Sequence, residues 1–374
     1  MKRGCVLGYD INEKGCQISY YDDSMEEPDT MMASSNNYLI PLVLGYFKDR
    51  WVFGKEAKRL AVVGEDCTET DLYGKAKRRE KVILAGKTYD AVWLLAKYIS
   101  LTLQDFENIQ YLTFTTPETD VDMAKMLKGI GQHIGVDKEI ISVQDYKESF
   151  CQYMIFQPKE LWQYESALFY CDEERIKAYM LRRLRVDASH GMNSFVTVDE
   201  VANAQRKELE ALYPIMNKEK SPDESFKSMI ENVFEKKVIS SVYLTGEGFE
   251  KNWYPNSLRV LCNGRRAFMG NNLYSKGACY KSIRKCESND DGPIYLDETK
   301  LTERICLRMR VDGQEGWYPL VTWGTHWYEA DGQWEVLLED ASDIEILVES
   351  LVDEEVQVEK VSLEGLPKRT DYSL

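Results

Sequence analysis

A strand–aspartate–turn–strand unit occurs twice in this chain, at the head of two successive segments, and it constrains the fold more than any other feature. Near the N-terminus, Val6-Leu7-Gly8-Tyr9 meets the polar stretch Asp10-Ile11-Asn12-Glu13-Lys14-Gly15 and resumes as Cys16–Tyr21, a hairpin with a wide polar loop. Later, Leu168-Phe169-Tyr170-Cys171 meets Asp172, and Arg175–Arg183 alternates again through Ile176, Ala178 and Met180. Duplication of this kind points to two similar lobes facing one another. Aligned on their aspartates, the units place Asp10 and Asp172 at two hairpin tips aimed into a shared cleft. A pair of carboxylates there suits a hydrated Mg²⁺, which takes one or two carboxylates with waters and phosphates. An aspartate at a tip also serves simply to cap the turn.

The segments between read as alternating α and β. Tyr38–Tyr46 and Trp51-Val52-Phe53-Gly54 are extended runs, and residues 89–104 carry Val92, Leu95 and Ile99 at helical spacing. A strand over Gln110–Thr115, a helix over 118–134 stopped by Gly135, and a shorter helix over 145–155 complete the first segment. In the second, helices are expected over 198–219 and 222–236. Each opens on a hydroxyl-and-glutamate capping pair, Thr197 with Glu200 and Ser221 with Glu224, and Pro222 takes a first helical position. The strand Val238–Leu244 runs into Thr245-Gly246-Glu247-Gly248, and a last helix covers 269–285. After the turn-rich linker Ser288–Pro293 the period becomes two: Ile305, Leu307, Met309 and Val311; Pro319, Val321 and Trp323; Trp334, Val336 and Leu338; Ile344, Ile346 and Val348. The expected parts are two αβ lobes, 1–165 and 166–290, and a C-terminal antiparallel β-domain, 294–374.

Of 374 residues, 44% are hydrophobic, enough to build the cores of two or three domains. A net charge of −16 repels phosphate backbones, so no nucleic-acid partner is expected. No apolar run approaches the roughly 20 residues of a membrane-crossing helix, so no membrane partner is expected, and the first apolar stretch stops at Asp10, too short for a signal. Nine scattered cysteines without C-x-x-C spacing fit reduced thiols and a cytoplasmic location. Three histidines far apart make neither a zinc site nor a histidine relay. There is no P-loop and no G-x-G-x-x-G fingerprint. What remains for a ligand is Gly246-Glu247-Gly248, where glycines allow close backbone approach, and the more weakly marked pair Gly270 and Gly277 flanking Asn271–Lys276.

In order along residues 4–285, these segments resemble the actin and DnaK-type ATPases, and DnaK-like proteins most closely. Gly8-Tyr9-Asp10-Ile11-Asn12 is similar to their first phosphate motif, Trp51–Ala57 to a later G-x-x-A segment, and Leu112–Pro117 to an I-T-V-P strand. Asp145–Phe150 stands where that family has an E-P-x-A-A helix, Ala167–Asp172 at the second phosphate motif, and Val242–Gly248 at the adenosine motif. The resemblance implies two actin-like (ribonuclease H-like) lobes around a cleft that holds ATP or ADP with Mg²⁺. Nucleotide contacts would fall on Asp10, Asn12, Lys14, Gly246, Glu247, Gly248 and Gly270, with metal contacts on Asp10 and Asp172. The C-terminal β-domain stands where DnaK has its substrate-binding sandwich.

The chain departs from that pattern at both phosphate loops. Asn12-Glu13-Lys14 replaces glycine and hydroxyls, and Asp172-Glu173-Glu174-Arg175 contains no glycine. Added carboxylates repel a triphosphate, and a β-carbon blocks backbone approach. The stretch from Asp172 to Thr245 is also short for the family, and no counterpart of the helical lid that closes DnaK's peptide site is expected within residues 1–374. Three functions follow: an active chaperone-like ATPase, a degraded nucleotide fold acting as scaffold or regulatory module, or an actin-like filament or sugar-kinase-like enzyme. The loops favour the scaffold, with hydrolysis slow or absent. In the β-domain, Trp323 and Trp334 lie on the apolar face, whereas Trp327 and Tyr328 are the candidates for holding a protein partner. His326 is expected at the surface.

Overall fold

Strand β1 (Cys5–Ile11) pairs antiparallel with β2 (Gly15–Tyr21), which also borders β3 (Asp29–Thr30) and β4 (Ile40–Pro41). These elements belong to a computed structural model that describes residues 4–34, 37–64, 67–184, 195–205, 221–251, 253–287, 292–330, 343–351 and 356–363. A smaller insertion follows: β5 (Leu44–Phe47), β6 (Arg50–Phe53), α1 (Gly54–Val63), β7 (Thr68–Glu69), α2 (Leu72–Lys77), β8 (Lys81–Leu84), β9 (Lys87–Asp90) and α3 (Ala91–Thr102). The chain returns to the sheet with β10 (Ile109–Thr116), crosses through α4 (Val121–His133) to β11 (Ile141–Asp145), and ends this half in α5 (Tyr146–Ile155). The strand order is β11-β10-β1-β2-β3. From Val6 to Ile11 every residue of β1 is buried, as expected for a central strand covered on both faces.

The second half repeats the plan. It comprises β12 (Glu165–Cys171), β13 (Arg175–Leu184), β14 (Phe195–Gln205), α6 (Pro222–Phe234), β15 (Ile239–Thr245), α7 (Pro255–Leu261), β16 (Arg266–Met269) and α8 (Leu273–Cys286). The order β16-β15-β12-β13-β14 matches the first sheet strand for strand. Even the irregularities recur: β1 slips by one residue against β10 between Cys5 and Val6, and β12 slips against β15 between Glu165 and Ser166.

The helices that close the two halves, α5 and α8, pack on each other. A β-carbon at Gly277 would collide with the Ser149 carbonyl oxygen, so the glycine sets how closely they approach. Lys281 donates to Glu148 Oε1 at 2.6 Å in this interface, with both side chains buried. Local signals place the other helices. Asp90 caps α3 by accepting from Val92 N and Trp93 N, and Ser221, Glu224 and Pro222 form the expected capping box at α6.

One expected helix is a strand. Residues 198–205 continue β14 beside β13, so Thr197 and Glu200 cap nothing there; the rest of that expected helix lies outside the described residues. Phe195 and the β-branched run Val196-Thr197-Val198 fill a sheet position, and Phe195, Val196 and Val198 are buried.

The chain separates into two units, Met1–Arg182 with Val198–Asp291, and Arg183–Thr197 with Gly292–Leu374. In the second unit β17 (Ile294–Tyr295) runs parallel to Phe195–Val196. Four antiparallel strands follow: β18 (Glu303–Val311), β19 (Gln314–Val321), β20 (Asp343–Ser350) and β21 (Val356–Ser362), ordered β19-β18-β20-β21. Phe195, Leu296, Trp323 and Leu351 make its small core. The expected strand through Trp334, Val336 and Leu338 and most of the linker, Ser288–Asp291, lie outside the described residues.

Candidate functional site

Pairing registers revise the alignment of the two hairpins. Asp10 faces Gln17 across β2 and Thr115 across β10; in the second hairpin, Tyr170 faces Lys177 and Thr245. Tyr170 is therefore the counterpart of Asp10, and Asp172 is the counterpart of Asn12. The turns agree. Asn12 Oδ1 accepts from Lys14 N (2.9 Å) and Gly15 N (3.2 Å), and Asp172 Oδ1 accepts from Glu174 N (2.7 Å) and Arg175 N (2.8 Å). Each residue also donates its own N–H to the carbonyl three residues on. Asp10 is thus not at a tip. It lies inside β1, because the strands run on to Ile11 and resume at Gly15, and it is 3% exposed.

Among the described residues the buried carboxylate has one hydrogen-bond partner. Tyr146, the first residue of α5, donates its hydroxyl to Asp10 Oδ1 at 2.7 Å and accepts from Asn12 Nδ2 at 2.9 Å. Asp145 fixes that tyrosine by capping α5 through Glu148 N. The Tyr146 ring lies flat on Tyr274 at the start of α8, with centroids 3.7 Å apart and planes 8° apart, and Tyr170 is tilted toward Tyr274 at 6.4 Å. The Tyr274 hydroxyl is buried and finds no hydrogen-bond partner among the described residues. Burial pushes the Asp10 carboxyl up to about 7, against the opposing effect of the Tyr146 hydrogen bond. Burial, and then the Asp10 charge, hold Tyr146 well above its ordinary value.

At the rim, Lys14 on the first hairpin is ion-paired with Glu247 on the third turn. Burial lowers its pKa, but the hydrogen bond and charge of Glu247, followed by Glu173 and Asp172, outweigh it and leave the pKa raised. The tips and the 246–248 turn therefore converge. The glycines of that turn serve its seating. Gly246 has φ +98°, and β-carbons at Gly246 and Gly248 would collide with the Cys171 carbonyl oxygen and sulfur. Gly246 N donates to Asn271 Oδ1 at 3.0 Å. Gly270 donates to Leu244 O, and a β-carbon there would meet nothing closer than 3.7 Å, so nothing at that position calls for glycine.

This arrangement does not fit a magnesium-bound triphosphate. Asp10 is bonded to Tyr146, Asp172 Oδ1 caps its own turn, Lys14 is paired with Glu247, and the room that glycine leaves at the third turn is filled by Cys171. Among the described residues no group of three or more His, Cys, Asp or Glu side chains is placed to hold a metal ion. No helix among them is long and apolar enough to cross a membrane.

A model described as the C-terminal part of a family of unknown function, DUF5716, matches residues 27–298. The chain belongs to the DUF5716 family. A second model, a domain of unknown function, DUF8552, matches residues 300–374. No curated protein matches the chain. The DUF5716 match starts after the β1–β2 hairpin and takes in Tyr146, Tyr170, Asp172, Gly246–Gly248 and Tyr274. Of these, Tyr146, Tyr170 and Tyr274 carry no mark of a site residue in the sequence. Their signal is spatial, since Tyr146 lies 136 positions from Asp10.

In the DUF8552 segment, Trp327 is 57% exposed and Tyr328 is half-buried. His326 is not at the surface. It is 6% exposed because Thr299 and Lys300 hold its two ring nitrogens.

Proposed function

We propose that this chain is a DnaK-like scaffold of the actin superfamily, with two ribonuclease H-like lobes whose cleft is closed by its own side chains, and that it works by holding a protein partner through its C-terminal β-domain. The fold reading is supported by the duplicated five-strand order and the matching slips in register. The observation that carries the function is the buried contact of Asp10 with Tyr146 and the stack of Tyr146 on Tyr274, in the place the resemblance gives to metal and phosphate. Phosphoryl transfer relies on positioning and on stabilising charge at the γ-phosphoryl group. Here a carboxyl near neutrality and two phenol rings take the place of a backbone cradle.

Titration calorimetry with Mg·ATP, Mg·ADP and EDTA controls tests this. The expected outcome is no saturable heat with nucleotide up to about 1 mM, a concentration at which binding of only about 4 kcal/mol would register. Saturable binding that disappears in Asp10→Asn would replace the scaffold with the chaperone-like ATPase.

A further inference from the structure

The C-terminal unit carries most of the chain's net negative charge. From residue 292 onward, nineteen aspartates and glutamates stand against seven lysines and arginines, a net of −12 in a chain whose total is −16. On this acidic unit sits Trp327, 57% exposed, against 38% for Trp317 in the same unit. A single apolar ring in water is ordinary on a protein surface, but one held on a rigid turn offers a contact already ordered for binding.

That turn is clasped from below. The Thr299 hydroxyl donates to Asp297 Oδ1 at 2.7 Å, so its oxygen accepts from His326 Nδ1–H at 2.9 Å. The Nε2 lone pair then faces Lys300 Nζ, which donates at 2.8 Å. The backbone is tied as well: Trp327 N to Thr299 O at 3.0 Å, Leu301 N to Thr325 O at 2.8 Å, and Gly324 N to Leu301 O at 2.9 Å. Tyr328 stacks on the His326 ring with centroids 4.8 Å apart and meets Trp327 edge-on at 5.5 Å. The indole is thus displayed with its backbone already ordered, which lowers the entropy lost when a partner docks.

We propose that Trp327 and Tyr328 anchor a docking site for a basic polypeptide segment, with an arginine or lysine of that segment lying over the Trp327 indole. Resting on the reading of this unit as protein-binding, the site takes its specificity from charge. The acidic field draws cations and repels phosphate and carboxylate, and an indole face is the strongest aromatic partner for a guanidinium or ammonium.

Labelled oligo-arginine, titrated into the full chain and followed by anisotropy, provides the test, with oligo-glutamate as the opposite-charge probe. Saturable oligo-arginine binding is expected, weakened about three- to tenfold by Trp327→Leu and less than about twofold by Trp317→Leu. In the unsubstituted chain the Trp327 indole N–H resonance should move as oligo-arginine is added, which keeps the test independent of how the variants fold. No oligo-arginine binding, equal affinity in Trp327→Leu, an unmoved Trp327 resonance, or comparable binding of oligo-glutamate would each overturn the site. Nucleotide calorimetry on the same preparation reads the cleft separately. Binding of Mg·ATP would overturn the closed cleft and leave a positive docking result standing; an inert cleft with no peptide effect at Trp327 would remove the docking site alone.

Discussion

The first and second hairpins have the same backbone and different chemistry. Both end in a turn capped by an Asx side chain, Asn12 in one and Asp172 in the other, with the same hydrogen bonds to the second and third residues beyond. Two positions earlier they diverge. The first hairpin buries a carboxylate, Asp10, against a tyrosine hydroxyl; the second places Tyr170 there. A repeated fold has kept its turn geometry without repeating its functional groups, so repetition of the backbone alone is no evidence for a two-carboxylate metal site.

The largest expected consequence lies at Asp10. Its carboxyl titrates at about 7 in the folded chain against an ordinary value of 3.8. Between those values the native state binds more protons than the unfolded state, so the contribution of Asp10 to stability is greatest below the lower value and is lost as pH rises through the upper one. A difference of about three pKa units corresponds to about 4 kcal/mol. Urea unfolding from pH 4 to pH 8 should therefore show the unsubstituted chain losing about 4 kcal/mol relative to Asp10→Asn. Parallel stability curves would mean that the Asp10 carboxyl is not held in a buried site, and the contrast between the hairpins would collapse.

A smaller effect is expected at the turn seated on the second hairpin. Gly246 has φ +98° and ψ 149°, a region open essentially to glycine alone, and its missing β-carbon is what lets the turn reach Cys171. Gly246→Ala should cost about 2–3 kcal/mol in urea unfolding, while Gly270→Ala stays within about 0.5 kcal/mol. Equal costs at the two glycines would show that the third turn is not held against the hairpin.

Most of the fold was legible because its signals are local. Period-two and helical spacing located both hairpins and the helices α3, α4 and α5, and Ser221, Pro222 and Glu224 announced the start of α6. Matching aspartate to aspartate shifts the two hairpins by two residues. Asn12-Glu13-Lys14-Gly15 and Asp172-Glu173-Glu174-Arg175 are the true equivalents, and a residue that caps its own turn looks the same in sequence as one that points into a cleft. At 198–205 a hydroxyl–glutamate pair that mimics a helix start overlaps a β-branched run, and the neighbouring strand decides the outcome. The tyrosine stack, the Glu148–Lys281 pair and the burial of His326 depend on partners 26 to 133 residues away or on a different helix, and no window of sequence contains them.

The smallest effect is expected at the rim, where Lys14 and Glu247 join the first hairpin to the third turn. The pair looks like the latch of the proposed cleft, yet its side chains are 46% and 39% exposed. Ion pairs in water gain little because solvent screens the attraction and two long side chains lose rotamer freedom. A double-mutant cycle on Lys14→Met and Glu247→Gln should return a coupling below about 1 kcal/mol, falling further in high salt. By contrast, Tyr146→Phe leaves a buried carboxylate without its hydroxyl donor and should cost about 1–3 kcal/mol above pH 7, where that carboxylate is charged. If the rim coupling instead equals the Tyr146 effect, the halves are held by charge at the surface. Closure would then be sensitive to salt and open to nucleotide, and the buried tyrosines would be filling space behind it.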